Sequence, residues 1–518
     1  MKLHSVKYRK QILIFGYCDP SLSFPLSHRF DDMARLASQQ VLRDKWTEAK
    51  RRVKPSKVLF QKPDAADVAD FDRLQNEGKK DPLAVLPSDL LFLILRDATL
   101  HELMRYMQVS RAWKNYVTSE PRFWVHLDVA HVYRFRRADL FRLGQYVQHP
   151  LRVRHLALHF RSIQDPTWLD PIVLPNATGH ARQLHTLRLC GKWIWGDGAL
   201  TALLKPLFCD ALQILTIQWT RFVPAAFAHL VRLPNLRYLK MQHVDGTRLC
   251  HTVAESQHMA QLLSHHRWQQ LHTLDLGGND CLTDAMVEAI LSRARHLQHL
   301  TLDECKQLTL LSIHSIGQHA HALTELSLQA LWMRETPTLR YDRLFLQLAS
   351  FLTCLTSLNL TACHYMTAPG LQQFLFHTRA PLKHLFLARL PFAHGHAFPG
   401  CPDLVTLDVS GTSSWPADHL MAFIVGAHRV QTLKLGMLPL VDDTFLLDLA
   451  KAKLPELLIL HLNDCIQITG RGVVTLVQTY GSTLQELKMN NCTRIRQETI
   501  EWARSKMGSR FSYKQNVQ

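Results

Sequence analysis

The chain has no long hydrophobic run. Near its start only Ile12, Leu13, Ile14 and Phe15 are continuously apolar, too few for the core of a secretory leader. No segment elsewhere supplies the roughly 20 uncharged apolar residues of a membrane span. The cysteines number 11, an odd count, with no Cys-x-x-Cys pair and no metal-finger spacing, so a disulfide framework is not the expectation. Phosphate loops of the form G-x-x-x-x-G-K-[ST], G-x-G-x-x-G turns and the H-E-x-x-H zinc pair are absent. Histidines cluster at His265-His266, His319-Ala320-His321 and His394-Gly395-His396 without a third ligand at a recognisable spacing. Gly277-Gly278-Asn279-Asp280 lacks the lysine of a phosphate loop and reads as a turn closing a strand. No nucleophile–base pair stands out. These absences lead to the expectation of a binding protein: not an enzyme, no cofactor, no metal and no membrane.

Acidic charge is also short. Lys and Arg number 60 against 43 Asp and Glu, a formal net charge of +17. Such an excess attracts an acidic protein face, nucleic acid or an anionic surface, and basicity alone does not choose among them. At 518 residues the chain is too long for one compact core. Residues 1–80 are expected to form a basic, partly disordered segment. Asp31 to Lys54 has a ragged helical stripe of Met33, Leu36, Val41, Leu42 and Trp46. The cluster Lys50, Arg51, Arg52, Lys54 resembles a short nuclear import signal, ahead of Pro55 and an acidic stretch from Asp64 to Asp72.

Residues 81–128 are compact and apolar. Ser88 is placed to cap a helix, with Asp89 in its first turn and Leu90, Leu91 and Ile94 at helical spacing. Leu100, Leu103, Met104, Met107 and Val109 make a second stretch, and Ser110 to Val117 a third, ending near Pro121. The order Leu86-Pro87, Leu90, Ile94, Leu103, Val109-Ser110-Arg111-x-Trp113, Pro121-x-x-Trp124 resembles the F-box. That resemblance implies docking of a Skp-type adaptor, and through it a cullin, by Leu86, Pro87, Leu90, Ile94, Leu103, Val109 and Trp113. Asp97 and Ala98 depart from the family pattern of an aromatic and a large aliphatic residue. An early end to that helix and a weaker adaptor contact are expected there.

After an expected linker helix at 129–150, the phrase Leu-x-x-Leu-x-Leu recurs from Val153–Leu158 through Leu184–Leu189, Leu271–Leu276 and Leu355–Leu360 to Leu484–Met489. About thirteen units follow one another, mostly at the spacing of a leucine-rich repeat. Each offers a short half-buried strand and then a helical stretch such as Thr283–Leu291. One unit cannot bury its own apolar face, so stacking is required. The fold class is therefore α/β: a helical F-box, then a solenoid over 151–507 with parallel strands on the concave side and helices on the convex side, then a tail at 508–518. Cys305, Cys363, Cys465 and Cys492 recur at one repeat position, which reads as buried reduced thiols in an intracellular protein. This resembles the cysteine-containing repeat subtype frequent in F-box proteins. More loosely, the order of segments resembles fungal F-box proteins of the replisome and chromatin, without their upstream tetratricopeptide array.

Period-2 alternation puts the residue between the last two anchors of each unit on the concave face. The row reads Arg188, Thr216, Lys240, Asp275, Thr301, Ser327, Asn359, Phe386, Asp408, Lys434, His461, Lys488. Arg188, Lys240, Asp275, Phe386, Asp408, Lys434, His461 and Lys488 are the candidate substrate-binding residues, with Gln218, Gln242, Asp303 and Asn463 one row further and Trp219 and Tyr238 near the edges. An unidentified protein substrate, acidic or phosphorylated, would suit two lysines beside an aromatic anchor. The function implied is substrate recognition for an SCF-type ubiquitin ligase in the nucleus, the cytoplasm or both. The alternative is a repeat scaffold that binds acidic proteins, chromatin or RNA without a ligase.

Overall fold

The structure is a computed structural model that describes residues 81–128, 153–159, 184–194, 211–221, 233–243, 260–261, 263–264, 268–331, 341–391, 398–412 and 415–515. The import-like cluster Lys50, Arg51, Arg52, Lys54 and the expected linker helix at 129–150 lie outside these residues.

Four short helices open the described chain: α1 (Pro82–Val85), α2 (Ser88–Leu95), α3 (Leu100–Tyr106) and α4 (Arg111–Ser119), followed by a 3-10 turn at Pro121–Trp124. Each starts on a local signal. Asp81 caps α1, and its carboxylate also accepts from the Trp113 indole at 3.1 Å. Thr99 and Glu102 form a reciprocal capping box on α3, and Ser110 caps α4. Ser88 does not cap α2. Pro87 takes that position and Ser88 is the first helical residue, because proline's fixed φ and missing N–H suit a helix entry. The Ser88 carbonyl accepts from the Tyr116 hydroxyl at 2.9 Å. Helix α2 stops at Leu95, ahead of Asp97 and Ala98. Leu91, Leu95, Leu103, Met104, Trp113, Val117, Phe123 and Trp124 fill the core of this unit.

The Trp124 indole donates to the Val117 carbonyl at 2.9 Å, and the chain passes through Val125 directly into β1 (His126–Asp128). Strand β1 pairs with β2 (His155–His159) and begins one parallel sheet of 15 strands in strict sequence order. The sheet thus starts ahead of residue 151. It ends at β15 (Phe511–Ser512), inside the stretch read as a tail. Between them run β3 (Thr186–Ile194), β4 (Ile214–Arg221), β5 (Tyr238–Gln242), β6 (Thr273–Asp275), β7 (His299–Thr301), β8 (Glu325–Ser327), β9 (Ser357–Asn359) and β10 (His384–Phe386). Then come β11 (Thr406–Asp408), β12 (Thr432–Lys434), β13 (Ile459–His461) and β14 (Glu486–Lys488). The described helices of the repeats are α5 (Asp284–Leu291), α6 (Leu310–His319), α7 (Tyr341–Phe351), α8 (Ala368–His377), α9 (Ala417–Gly426), α10 (Asp443–Ala452), α11 (Gly470–Tyr480) and α12 (Gln497–Met507). The chain is a leucine-rich-repeat solenoid behind a short helical unit.

Two devices stitch the repeats. The second residue after each strand's last buried anchor adopts a left-handed φ, at Glu304, Ala330, Ala362, Arg389, Met437, Asp464 and Asn491 among others. This conformation costs a non-glycine residue free energy. It also aims the amide of Glu304 at the Gln329 carbonyl (2.8 Å) and that of Asp464 at the Asn490 carbonyl (2.8 Å), adding a lateral bond beyond the strand. Gly278 holds the same place at φ +71, and a Cβ there would meet the His243 ring at 2.2 Å. The glycine pair is therefore a strand-closing turn under an imidazole. Separately, the carboxylate opening one helix caps the next. Asp284 accepts from the Thr309 amide and hydroxyl (2.9 and 2.7 Å), and Asp443 from those of Thr469 (2.9 and 2.5 Å).

The repeat cysteines are buried, and each thiol donates to a carbonyl of the preceding repeat: Cys305 to Leu276 (3.2 Å), Cys363 to Leu328 (2.9 Å), Cys465 to Leu435 (3.2 Å), Cys492 to Leu462 (3.1 Å). Burial pushes Cys305, Cys363 and Cys492 up to about 12 and Cys465 to about 11, so these thiols stay protonated and unreactive. Asn279 fills the same place in its repeat and donates to the Met241 and Leu276 carbonyls, both at 2.6 Å.

Candidate functional site

Two surfaces carry the candidate residues. The first is on the helical unit. Leu90, Leu93 and Ile94 lie at i, i+3 and i+4 of α2 and are 50%, 54% and 58% exposed. Pro87, Val85 and Val109 are exposed as well, and Leu86 is half-buried. They make an open apolar face at helical spacing. Leu103 and Trp113, read as adaptor contacts, lie instead in the core at 4% exposure each. They pack the core of the helical unit. Leu93 and Val85 were missed in the sequence, although Leu93 falls three residues after Leu90. Opposite this face, Arg122 lies 4.1 Å over the Phe92 ring and pairs with Asp89 at 2.9 Å and Glu120 at 2.7 Å. The arginine ties the 3-10 turn to α2.

The second surface is the sheet face. Arg188, Thr216, Lys240, Asp275, Thr301, Ser327, Asn359, Phe386, Asp408, Lys434, His461 and Lys488 pair in unbroken register from β3 to β14. What the sequence could not show is their pairing. Across strands, Lys240 meets Asp275 at 3.2 Å and Lys434 meets Asp408 at 3.4 Å; within β14, Lys488 meets Glu486 at 2.6 Å. Glu486 also holds His461 at 3.1 Å. It stands two residues before Lys488, so period 2 already placed it on this face. Burial is the main cause that lowers the His461 pKa, against the raising effect of Glu486. The hydrogen bond from Lys488 is the main cause that lowers that of Glu486. Phe386 is half-buried with the Lys434 ammonium 5.8 Å from its ring centre. This end of the face is a half-open aromatic ring among self-neutralised charges.

At the other end a side-chain ladder runs across strands. Cys190 donates to Gln218 (3.4 Å), Gln218 to Gln242 (2.8 Å) and Gln242 to Asp275 (2.8 Å). Trp219, 46% exposed, stacks on His243 at 4.0 Å. His126 and His155 stack at 4.2 Å. Burial, then repulsion from His126, holds His155 down to about 4. In the middle, burial pushes Asp303 up to about 6 against the hydrogen bonds it accepts from the Ser327 hydroxyl (2.6 Å) and the Gln329 amide (2.8 Å). Among the described residues no group of three or more His, Cys, Asp or Glu could hold a metal ion, and no helix is long and apolar enough to cross a membrane.

With this geometry in hand, comparison with known proteins bears on the helical unit. The F-box-like family model matches residues 83–130. No curated protein matches the chain. Among solved structures, an internalin (inlF) from Listeria monocytogenes str. 4b F2365 aligns at 14% identity over 74% of this chain and 94% of its own, with a TM-score of 0.45. The complex of Rad7 and Elc1 from yeast aligns at 14% identity over 61% of this chain and 71% of that chain, with a TM-score of 0.35. The described residues form an F-box-like helical unit followed by a leucine-rich-repeat solenoid.

Proposed function

We propose that this protein is the substrate-recognition subunit of an SCF-type cullin–RING ubiquitin ligase and has no chemistry of its own. The observation that carries the reading is the open apolar face of Leu90, Leu93 and Ile94 on an F-box-like domain. This face docks a Skp-type adaptor and, through it, a cullin. The sheet face holds the protein to be ubiquitinated, with Phe386 as its anchor. Because Lys434 and Lys488 already have carboxylate partners, an acidic or phosphorylated segment must compete with Asp408 and Glu486 for them. The aromatic ring is therefore the larger contributor. The Lys50–Lys54 cluster serves nuclear import, and the narrower placement is among the F-box proteins of the fungal replisome and chromatin. The test is co-purification of the full chain with a Skp-type adaptor. Wild type is expected to hold it stoichiometrically. Pro87→Ala with Leu90→Ala, both exposed and away from the core, should lose it while thermal unfolding of the solenoid is unchanged. Retention of the adaptor by the double variant, or no capture by wild type, defeats the proposal.

A further inference from the structure

Each described repeat helix runs back from its strand and reaches the next strand through a short connector. All helix C-termini and strand starts therefore line one edge of the solenoid. Basic side chains collect there: Arg293 and Arg295 after α5, Arg379 and Lys383 after α8, Arg429 after α9 and Lys453 after α10, all exposed. Only Arg429 among these six has an ion pair, with Asp403 at 3.2 Å. Glu456 is the other acid in these connectors, and Glu325 and Glu486 open β8 and β14 on the same edge. The opposite edge mixes signs: Asp280, Glu304, Asp442, Asp464 and the capping Asp284 and Asp443 lie there with Lys306, Arg389, Arg494 and Arg496. A helix dipole favours cations at its C-terminus, but the effect fades beyond the last turn. Arg295 and Lys383 stand past it.

The same edge carries exposed rings. Phe376, one residue before the end of α8, is 71% exposed, and Phe351, the last residue of α7, is 43% exposed. His321 lies 5.6 Å from the Phe351 ring and His377 lies 5.3 Å from that of Phe376. Beside Phe351 a groove of about 170 Å³ opens between α6 and α7, with Leu344 and Leu348 on its floor and Gln318 and Gln347 on its rim. Gly317 lines it, and a Cβ there would come into ordinary contact with Leu348 and Phe351 at 3.5 and 3.6 Å.

We propose that this basic edge binds single-stranded nucleic acid, its cations on the phosphates and Phe351 and Phe376 as stacking platforms for bases. Cations interleaved with open aromatic rings are the means by which unpaired strands are held. The groove beside Phe351 has room for a planar base and amides on its rim to meet the base's edge. A duplex would keep its bases from the rings. An acidic protein face would engage the cations and leave the rings and the slot without a role. From the connector before β7 to the one before β13, six strand spacings cover on the order of 30 Å, enough for several nucleotides. This surface is separate from the adaptor face and the sheet face, so it stands whether or not the ligase reading does.

The test is fluorescence anisotropy of the full-length protein with labelled oligonucleotides of roughly 15 nucleotides, single-stranded DNA and RNA in separate arms and a duplex of equal length beside them. Single strands are expected to bind better than the duplex, and the DNA and RNA arms decide which is preferred. Phe351→Ala with Phe376→Ala should weaken binding roughly tenfold or more. Arg295→Gln with Arg379→Gln and Lys383→Gln should flatten the dependence of log K on log salt by about two. Unchanged thermal unfolding of these surface variants excludes misfolding. The proposal is overturned if wild type fails to bind at low salt, if the duplex binds as well, or if poly-glutamate competes as well as the oligonucleotide. It is also overturned if neutralising Lys50, Arg51, Arg52 and Lys54 abolishes binding while the edge variants bind like wild type.

Discussion

At the scale of single residues, the repeat cysteines and Asp303 show how stacking converts ordinary side chains into fixed polar contacts. A buried thiol that spans two repeats fills volume and satisfies a carbonyl. Cys465→Ala removes both, and a loss of about 1–3 kcal/mol in urea unfolding is expected. The wild-type thiol should resist a maleimide until the protein unfolds, as its raised pKa requires. Asp303 gives a pH signature. Its folded pKa of about 6 lies above the ordinary aspartate value of 3.8, so between these values the folded state binds more protons than the unfolded one. Its contribution therefore favours folding at the acid end of that window and is lost as pH rises through about 6. Asp303→Asn keeps an acceptor and never ionises. Its stability relative to wild type should improve from pH 4 to 6 and level off above. A difference independent of pH would show that Asp303 does not titrate there.

Elements depend on their neighbours at their ends more than along their length. The N-terminus of α11 is closed by Asp443 of α10, which accepts from the Thr469 amide and hydroxyl and from the Gly472 amide at 3.1 Å. Asp443→Ala should cost about 1–3 kcal/mol and raise hydrogen exchange first in the opening turn of α11. Uniform exchange across the repeat would mean the cap acts only globally. In the helical unit, Arg122 joins α2 to the turn that feeds β1. Solvent screens the Arg122–Asp89 pair, so Arg122→Ala is expected to shift the thermal midpoint little. The joint it steadies is short: Trp124 is 1% exposed and is followed after one residue by β1.

For the whole molecule, the proposed substrate role of the sheet face predicts how capture would divide among residues. Phe386→Ala should weaken capture more than Lys434→Ala, since a buried aromatic anchor is worth about 2 kcal/mol or more and an exposed ion pair about 0.2–1. A pull-down at two salt concentrations checks it; a larger loss at Lys434 would reassign the anchor. Much of this architecture was legible beforehand. Strand alternation has period 2 and each unit must stack on the next, so the repeat, the row from Arg188 to Lys488 and the buried cysteines followed from spacing alone. The helical anchors were recognisable by order, but their two roles were not separable: Leu90 and Ile94 face outward while Leu103 and Trp113 face inward, because the orientation of a short helix is set by the core it packs on. The ion pairs of Lys240 and Lys434, the capping carboxylates and the basic edge were likewise hidden. They join residues that are distant in the chain or spread over many repeats, and only the stacked solenoid brings them within reach. Sequence alone determined the repeating unit, since each unit's pattern is local. The tertiary structure decided which charges are spent on each other and which remain open to a partner, since that depends on distances between units.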